Sequence, residues 1–220
     1  GTTNYILTEM RDKGLAMEDA LKTAQELGYA ERDPSADIDG IDACRKISIL
    51  SSLASNSWID PEKVHTEGIT RITLEDVAYA GNCECVIKLI STMEKLDDGR
   101  YYIVVSPAIV SKESQLASID GVFNGALVSG DNVGDVVFYG QGAGRYPTAY
   151  NVVQDCADVL AGKGFYSPYG PKVKAVNDKK LQFYVRGAAW ENAAEHWGNA
   201  AITEPVEVDV IHAWRKEHPD

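Results

Sequence analysis

No apolar run in the 220-residue chain approaches the length needed to span a bilayer, and no signal-peptide pattern opens it. Basic residues are outnumbered, 21 Lys and Arg against 33 Asp and Glu, for a formal net charge of -12. That balance excludes the basic surface that non-specific nucleic-acid or anionic-membrane binding requires. Cysteine is sparse. Cys44, Cys83, Cys85 and Cys156 lack zinc-ligand spacing; Cys83 and Cys85 form a lone C-x-C, and Cys44 and Cys156 fall on helix faces that read as buried. A reduced, cytoplasmic protein is the expectation. The histidines His65, His196, His212 and His218 are scattered and pair with no nucleophile, so a hydrolase triad has no support. With 45% hydrophobic and 25% charged residues, the chain can fill one sizeable core plus a small satellite.

Periodicity predicts a helix over Met17–Leu27 closed by Gly28, and a second over Ile41–Ala54 ended by Ser55-Asn56-Ser57. Asp60-Pro61 opens a turn. A strand near Ile69, a short helix over Leu74–Ala80 and strands over Val86–Ile90 and Tyr101–Val105 follow, with Asp97-Asp98-Gly99 as a turn and Pro107 as a boundary. Two more strands, Gly121–Val128 and Val133–Tyr139, flank Gly130-Asp131-Asn132. A third helix runs over Pro147–Leu160 with Ala149, Val152, Val153, Cys156, Val159 and Leu160 on one face. Beyond the Gly162–Pro171 linker, strands near Leu181–Arg186 and Val206–Ala213 bracket a helical stretch at Trp190–Trp197. The expected fold is α+β: a mixed, largely hairpin-connected sheet with helices packed on one face, plus a small strand-helix-strand tail.

One stretch, Gly28–Lys46, crowds ionisable side chains around Pro34 and Gly40 and then enters the second helix. On a helical wheel Ile47, Ile49, Leu50 and Leu53 define a buried stripe, with Arg45, Ser48, Ser51 and Ser52 opposite. Asp42 and Lys46 project within the apolar stripe, one turn apart, in the acid-then-base order that allows pairing. Two readings stay open: a structural ion pair at the edge of the core, or a lysine facing a cleft with a carboxylate holding it. Glu31, Asp33, Asp37 and Asp39 lie just before the helix. Asp37 or Asp39 would suit its N-cap. Four acids and an inward lysine suit an amino-acid ligand, whose ammonium needs acceptors. No metal site is expected, since no histidine lies nearby and the spacing is not an EF-hand loop. Gly140-Gln141-Gly142-Ala143-Gly144 could present N–H groups to a phosphate or carboxylate, or simply connect; it is not the dinucleotide fingerprint.

Several segments together resemble homoserine dehydrogenases. They are Gly1-Thr2-Thr3-Asn4-Tyr5-Ile6-Leu7, then Ala24 to Asp37 through Gly28-Tyr29-Ala30-Glu31, then Asp39-Gly40-Ile41-Asp42-Ala43 with Arg45-Lys46. Glu67-Gly68-Ile69, Ile87-Lys88-Leu89, Gly121-Val122-Phe123-Asn124 and Phe138-Tyr139-Gly140 through Thr148-Ala149 continue the likeness in order to about Asp158.

The resemblance implies NAD- or NADP-dependent interconversion of L-homoserine and L-aspartate 4-semialdehyde, in threonine and methionine biosynthesis, by a homodimer. It places Lys46 as the group exchanging a proton with the substrate oxygen and Asp42 as the acid that holds it. Glu31, Asp37, Thr2 and Tyr29 fall on substrate-binding positions, and Gly142 and Gly144 on a loop near the cofactor. The family's N-terminal nucleotide-binding domain has no counterpart in these residues. Residues 1–162 therefore correspond to the substrate-binding and dimerisation domain, expected to be inactive alone. Residues 163–220 form a short extension that keeps at most half of an ACT regulatory module. The alternative is a non-catalytic amino-acid-binding or dimerisation module of the same fold.

Overall fold

The computed structural model describes residues 1–142, 144–163, 170, 172–173, 175–187, 190 and 193–218. The chain opens with helices α1 (Thr2–Lys13), α2 (Met17–Glu26), α3 (Ser35–Ile38) and α4 (Ile41–Ser55). Short strands β1 (Trp58–Ile59) and β2 (His65–Thr66) precede α5 (Leu74–Asn82) and two long strands, β3 (Cys85–Lys95) and β4 (Tyr101–Ser111). The hairpin of β5 (Phe123–Gly130) and β6 (Gly134–Gln141) leads into α6 (Arg145–Leu160). The tail carries β7 (Lys172–Val173), β8 (Ala175–Val176), β9 (Lys180–Leu181), β10 (Tyr184–Arg186), β11 (Ala193–Trp197), β12 (Ala200–Thr203) and β13 (Val206–Glu207), then α7 (Val208–Glu217).

The centre is the β3–β4 pair, antiparallel over its full length, with β2 and β8 parallel to β4 along its other edge. Strand alternation sends Ile103 and Val105 to one face and Tyr102 and Val104 to the other. The first face receives the helices: Ile103 and Val105 pack with Cys44 and Ile47 of α4, while Ile87 packs with Ile6 and Met10 of α1 and Ala20 and Ala24 of α2. Burying one such aliphatic side chain contributes about 1.5–3 kcal/mol. The second face is covered by the tail, through Val208, Leu181 and Phe183.

The α+β expectation is met, and several local expectations are corrected. Pro107 lies inside β4 opposite Leu89. Val105 O accepts from Glu67 N on the β2 side, so Pro107, two residues on, aims its missing N–H away from β3 and costs no β3–β4 bond. The strand expected near Ile69 is His65–Thr66; Ile69 is buried in the turn after it. In the tail, the helical stretch ending at Trp197 is strand β11 where it is described, and most of the strand expected over Val206–Ala213 is helix α7. Pairing to β12 decides the first, and the apolar run of the second serves one face of a helix.

A polar cluster fixes α1 against the hairpin. Asn4 Nδ2 donates to the carbonyls of Ile119 (2.9 Å), Gly121 (3.2 Å) and Phe123 (3.0 Å). Buried Lys88 donates to Ile119 O (2.6 Å), Asn4 Oδ1 (2.9 Å) and Asp120 Oδ1 (2.9 Å), so all three of its N–H groups are satisfied. Burial would raise the Asp120 carboxyl, but hydrogen bonds from Arg11 and Lys88 outweigh it and hold its pKa below the ordinary value. Gly125 lets the hairpin sit this close: a Cβ there would fall 2.0 Å from Ile119 Cδ1.

Candidate functional site

Helix α4 carries the main correction. Its inward face is Cys44, Ile47, Ser48, Ser51 and Ser52. Ile49 is 61% exposed, and Leu50 and Leu53 are exposed with it. The expected buried stripe is thus mostly the outer face. Serines suit the inner one because they are small, and two of them bond within the fold: Ser48 Oγ donates to Cys44 O at 2.8 Å, Ser52 Oγ to Ser48 O at 2.7 Å, and Ile59 N donates to Ser52 Oγ at 3.0 Å, whereas the Ser51 hydroxyl is buried without a partner among the described residues. The last bond joins α4 to β1, which a larger side chain would prevent. Lys46 and Asp42 keep their predicted company with Ile49 and Leu53, so they too face outward.

The helix begins at Gly40, with φ 80° and no side-chain cap, so neither Asp37 nor Asp39 caps it. A Cβ on Gly40 would come within 3.2 Å of Glu67 O. Both the left-handed backbone and the close approach require glycine there. One turn in, Lys46 Nζ donates to Asp42 Oδ2 at 2.5 Å, with the two side chains 69% and 41% exposed.

Around this pair the chain gathers three other segments. Thr2 Oγ1 donates to Tyr29 O at 2.9 Å, tying the start of α1 to the loop after α2, and the Tyr5 and Tyr29 rings lie 5.0 Å apart. The Gly1 amino group donates to Asn124 Oδ1 at 2.8 Å. Lys46, Asp37 and Asp42 all lie close enough for their charges to be felt at Gly1 N. Gly142 lies against the same Asn124, where a Cβ would fall 2.7 Å from Nδ2. Gly144, with φ 112°, caps the start of α6.

The loop acids separate by role. Asp33 Oδ1 accepts from Ser35 N (3.2 Å) and Ser35 Oγ (2.7 Å), which holds its carboxyl below the ordinary range and marks a turn. Asp39 lines a different cleft with Glu67, His212 and Arg215. Glu31 and Asp37 have no hydrogen-bond or ion-pair partner for their carboxylates among the described residues, although Gln25 Nε2 fixes the Glu31 carbonyl at 3.0 Å. Near Gly1 the chain thus presents a paired lysine and the free Asp37 carboxylate, with Glu31 as a second unpartnered carboxylate on the loop that Thr2 holds. Free carboxylates can accept from an ammonium group, and an exposed lysine can donate to a polar one.

Asn124, which the sequence names only within the Gly121–Asn124 likeness, joins Gly1 to Gly142; nothing local distinguishes it from a hairpin asparagine. The expectation of scattered histidines is also corrected. His65 and His212 meet edge to face with ring centroids 3.6 Å apart, across a separation no local pattern reveals. Cys44 is buried as expected, whereas Cys156 is exposed.

The homoserine dehydrogenase family model matches residues 1–157. The chain is 45% identical over 163 residues to a homoserine dehydrogenase of Synechocystis sp., covering 73% of this chain and 38% of that protein. It is 38% identical over 222 residues to the Helicobacter pylori homoserine dehydrogenase, covering 99% of this chain and 52% of that one. Among solved structures, a homoserine dehydrogenase from Thiobacillus denitrificans superposes with a TM-score of 0.77 at 39% identity, over 84% of this chain and 46% of that one. The chain thus spans between about two fifths and half the length of these relatives. On the family match and these likenesses, the chain belongs to the homoserine dehydrogenase family.

Proposed function

We propose that this chain is the substrate-binding and dimerisation part of an NAD- or NADP-dependent homoserine dehydrogenase that interconverts L-homoserine and L-aspartate 4-semialdehyde on the route to threonine and methionine. The observation that carries the reading is the Lys46–Asp42 pair, held at 2.5 Å on the outward face of α4, with Asp37 close enough to act on the same Gly1 as both of them. Glu31 and Asp37 take the substrate ammonium. Lys46 gives a proton to the substrate oxygen as the aldehyde becomes the alcohol and takes it back in the reverse direction. Asp42 aims Nζ and balances its charge. The Thr2–Tyr29 bond holds the loop that carries Glu31. Bound NAD or NADP supplies the hydride chemistry at the adjoining carbon.

The residues present fit one edge of such a cofactor. Gly142 and Gly144 offer backbone free of side chains, and Gly142 lies so close to Asn124 that a Cβ would displace its side-chain amide. The 220 residues contain no G-x-G-x-x-G, so the main nucleotide contacts belong to the part of these enzymes that this chain does not span. Residues 1–162 form the substrate and dimer domain. Residues 163–220 form an extension docked on it through Arg186–Asp76 (2.6 Å), Arg100–Asp178 (2.5 Å) and Arg215–Glu67. The exposed apolar side chains of the β5–β6 hairpin and α6 suit a twofold interface between two copies. Four unpaired cysteines fit the reducing cytoplasm.

Calorimetric titration of the full-length protein with L-homoserine tests the ligand assignment. Glu31→Gln and Asp37→Asn should each weaken binding by about tenfold or more, since each removes a charge-assisted acceptor. Unchanged affinity in both variants would remove these residues from the site.

A further inference from the structure

We propose that His65, Glu67 and His212 form a site for a divalent transition-metal ion that fastens α7 to β2. His65 and Glu67 lie two residues apart on extended chain, so their side chains project to the same side. Helix α7 brings His212 against them, and one ligand atom from each of the three residues lies within 4.8 Å of the others. Such an ion binds imidazole nitrogen at about 2.0–2.1 Å and carboxylate oxygen at about 2.0–2.2 Å, so small side-chain rotations close the set around it. Two imidazoles and one carboxylate favour zinc, cobalt or nickel over magnesium or calcium, which prefer all-oxygen shells.

A second observation points to a missing partner. His212 Nε2 is buried with no hydrogen-bond partner among the described residues, an arrangement that carries a desolvation cost which a coordinated ion relieves. A cleft of about 350 Å³, lined by Asp39, Glu67, His212, Arg215 and Lys216 among others, gives the ion a way in. Arg215 pairs with Glu67 Oε1 and opposes the ion, which leaves Oε2 as the ready ligand. Three protein ligands would leave a fourth position for water.

The location gives the ion leverage. Directly after β2, Ile69 N donates to Ile38 O at 2.7 Å, and a Cβ on Gly68 would fall 2.0 Å from that same oxygen. An ion at His65 and Glu67 would therefore join the tail to backbone packed under the α3–α4 junction, which carries Asp37 and Asp42.

The test uses the full chain, stripped with a chelator and titrated with cobalt(II), then zinc(II), by visible absorption and calorimetry. The expected result is saturable binding of one cobalt per chain with a d–d spectrum of low coordination number, displaced by zinc but not by magnesium. His65→Gln and His212→Gln should each weaken binding by about tenfold or more, and Glu67→Gln should weaken it while leaving the metal-free melting temperature near wild type. Arg215→Ala should tighten binding by releasing Glu67. No saturable cobalt binding, or binding unchanged in the His65→Gln/His212→Gln double variant, would overturn the site.

Discussion

The β3–β4 core and the arm formed by the β5–β6 hairpin and α6 are both rich in apolar residues, yet they end in opposite environments. In the core Ile6, Ile69, Ile103 and Val105 are fully enclosed, packed among residues of α1, α2, α4 and α5 and of neighbouring strands. In α6 no residue is buried, and Leu160 is 89% exposed. On the hairpin, Ala126 faces Phe138 and Val128 faces Val136, a cross-strand apolar face that is open. Periodicity reports that a face is apolar but not what covers it. The core's faces are covered from within the chain, and the arm's are left for something else.

Four substitutions sharpen that contrast. Ile103→Ala should cost about 2–5 kcal/mol in chemical denaturation, because the cavity it leaves is ringed by α4 and β3. Phe138→Asp should leave the melting temperature of the isolated chain nearly unchanged while weakening self-association by about a hundredfold in sedimentation equilibrium. A monomeric wild type, or a dimer indifferent to Phe138, would mean that the arm is covered in another way. The smallest effects lie within α4: Ser51→Leu should cost about 1–3 kcal/mol by overpacking, whereas Leu50→Ser should stay within about 0.5 kcal/mol. The reverse ranking would restore the wheel's original orientation.

That wheel shows where legibility ended. Although β3 and β4 run on past the expected Ile90 and Val105 to Lys95 and Ser111, the limits of α4 and the turns of both hairpins were readable, because Gly40, Gly99 and the Gly130–Asn132 turn punctuate strongly periodic runs. α1 was not, since Gly1 caps it without a side chain and its first turn holds no acid. Pairing Lys46 with Asp42 followed from spacing alone. Their outward direction did not, because hydrophobicity ranks serine below isoleucine, whereas close packing against β1 ranks it above. Glu31 and Asp37 could be told from Asp33 only by its bonds to Ser35, and from Asp39 only by the separate cleft that Asp39 lines in the folded chain. His212 entered the picture only when α7 docked.

The central claim is that the outward face of α4 is one side of a catalytic site. Steady-state kinetics of Lys46→Ala in the full-length protein, with L-homoserine and NAD or NADP, address it most directly. The expected result is a fall in kcat of about 10²–10⁴-fold, with KM for homoserine changing far less and the melting temperature preserved, as befits a solvent-exposed proton donor. A variant that turns over at close to the wild-type rate would contradict the account.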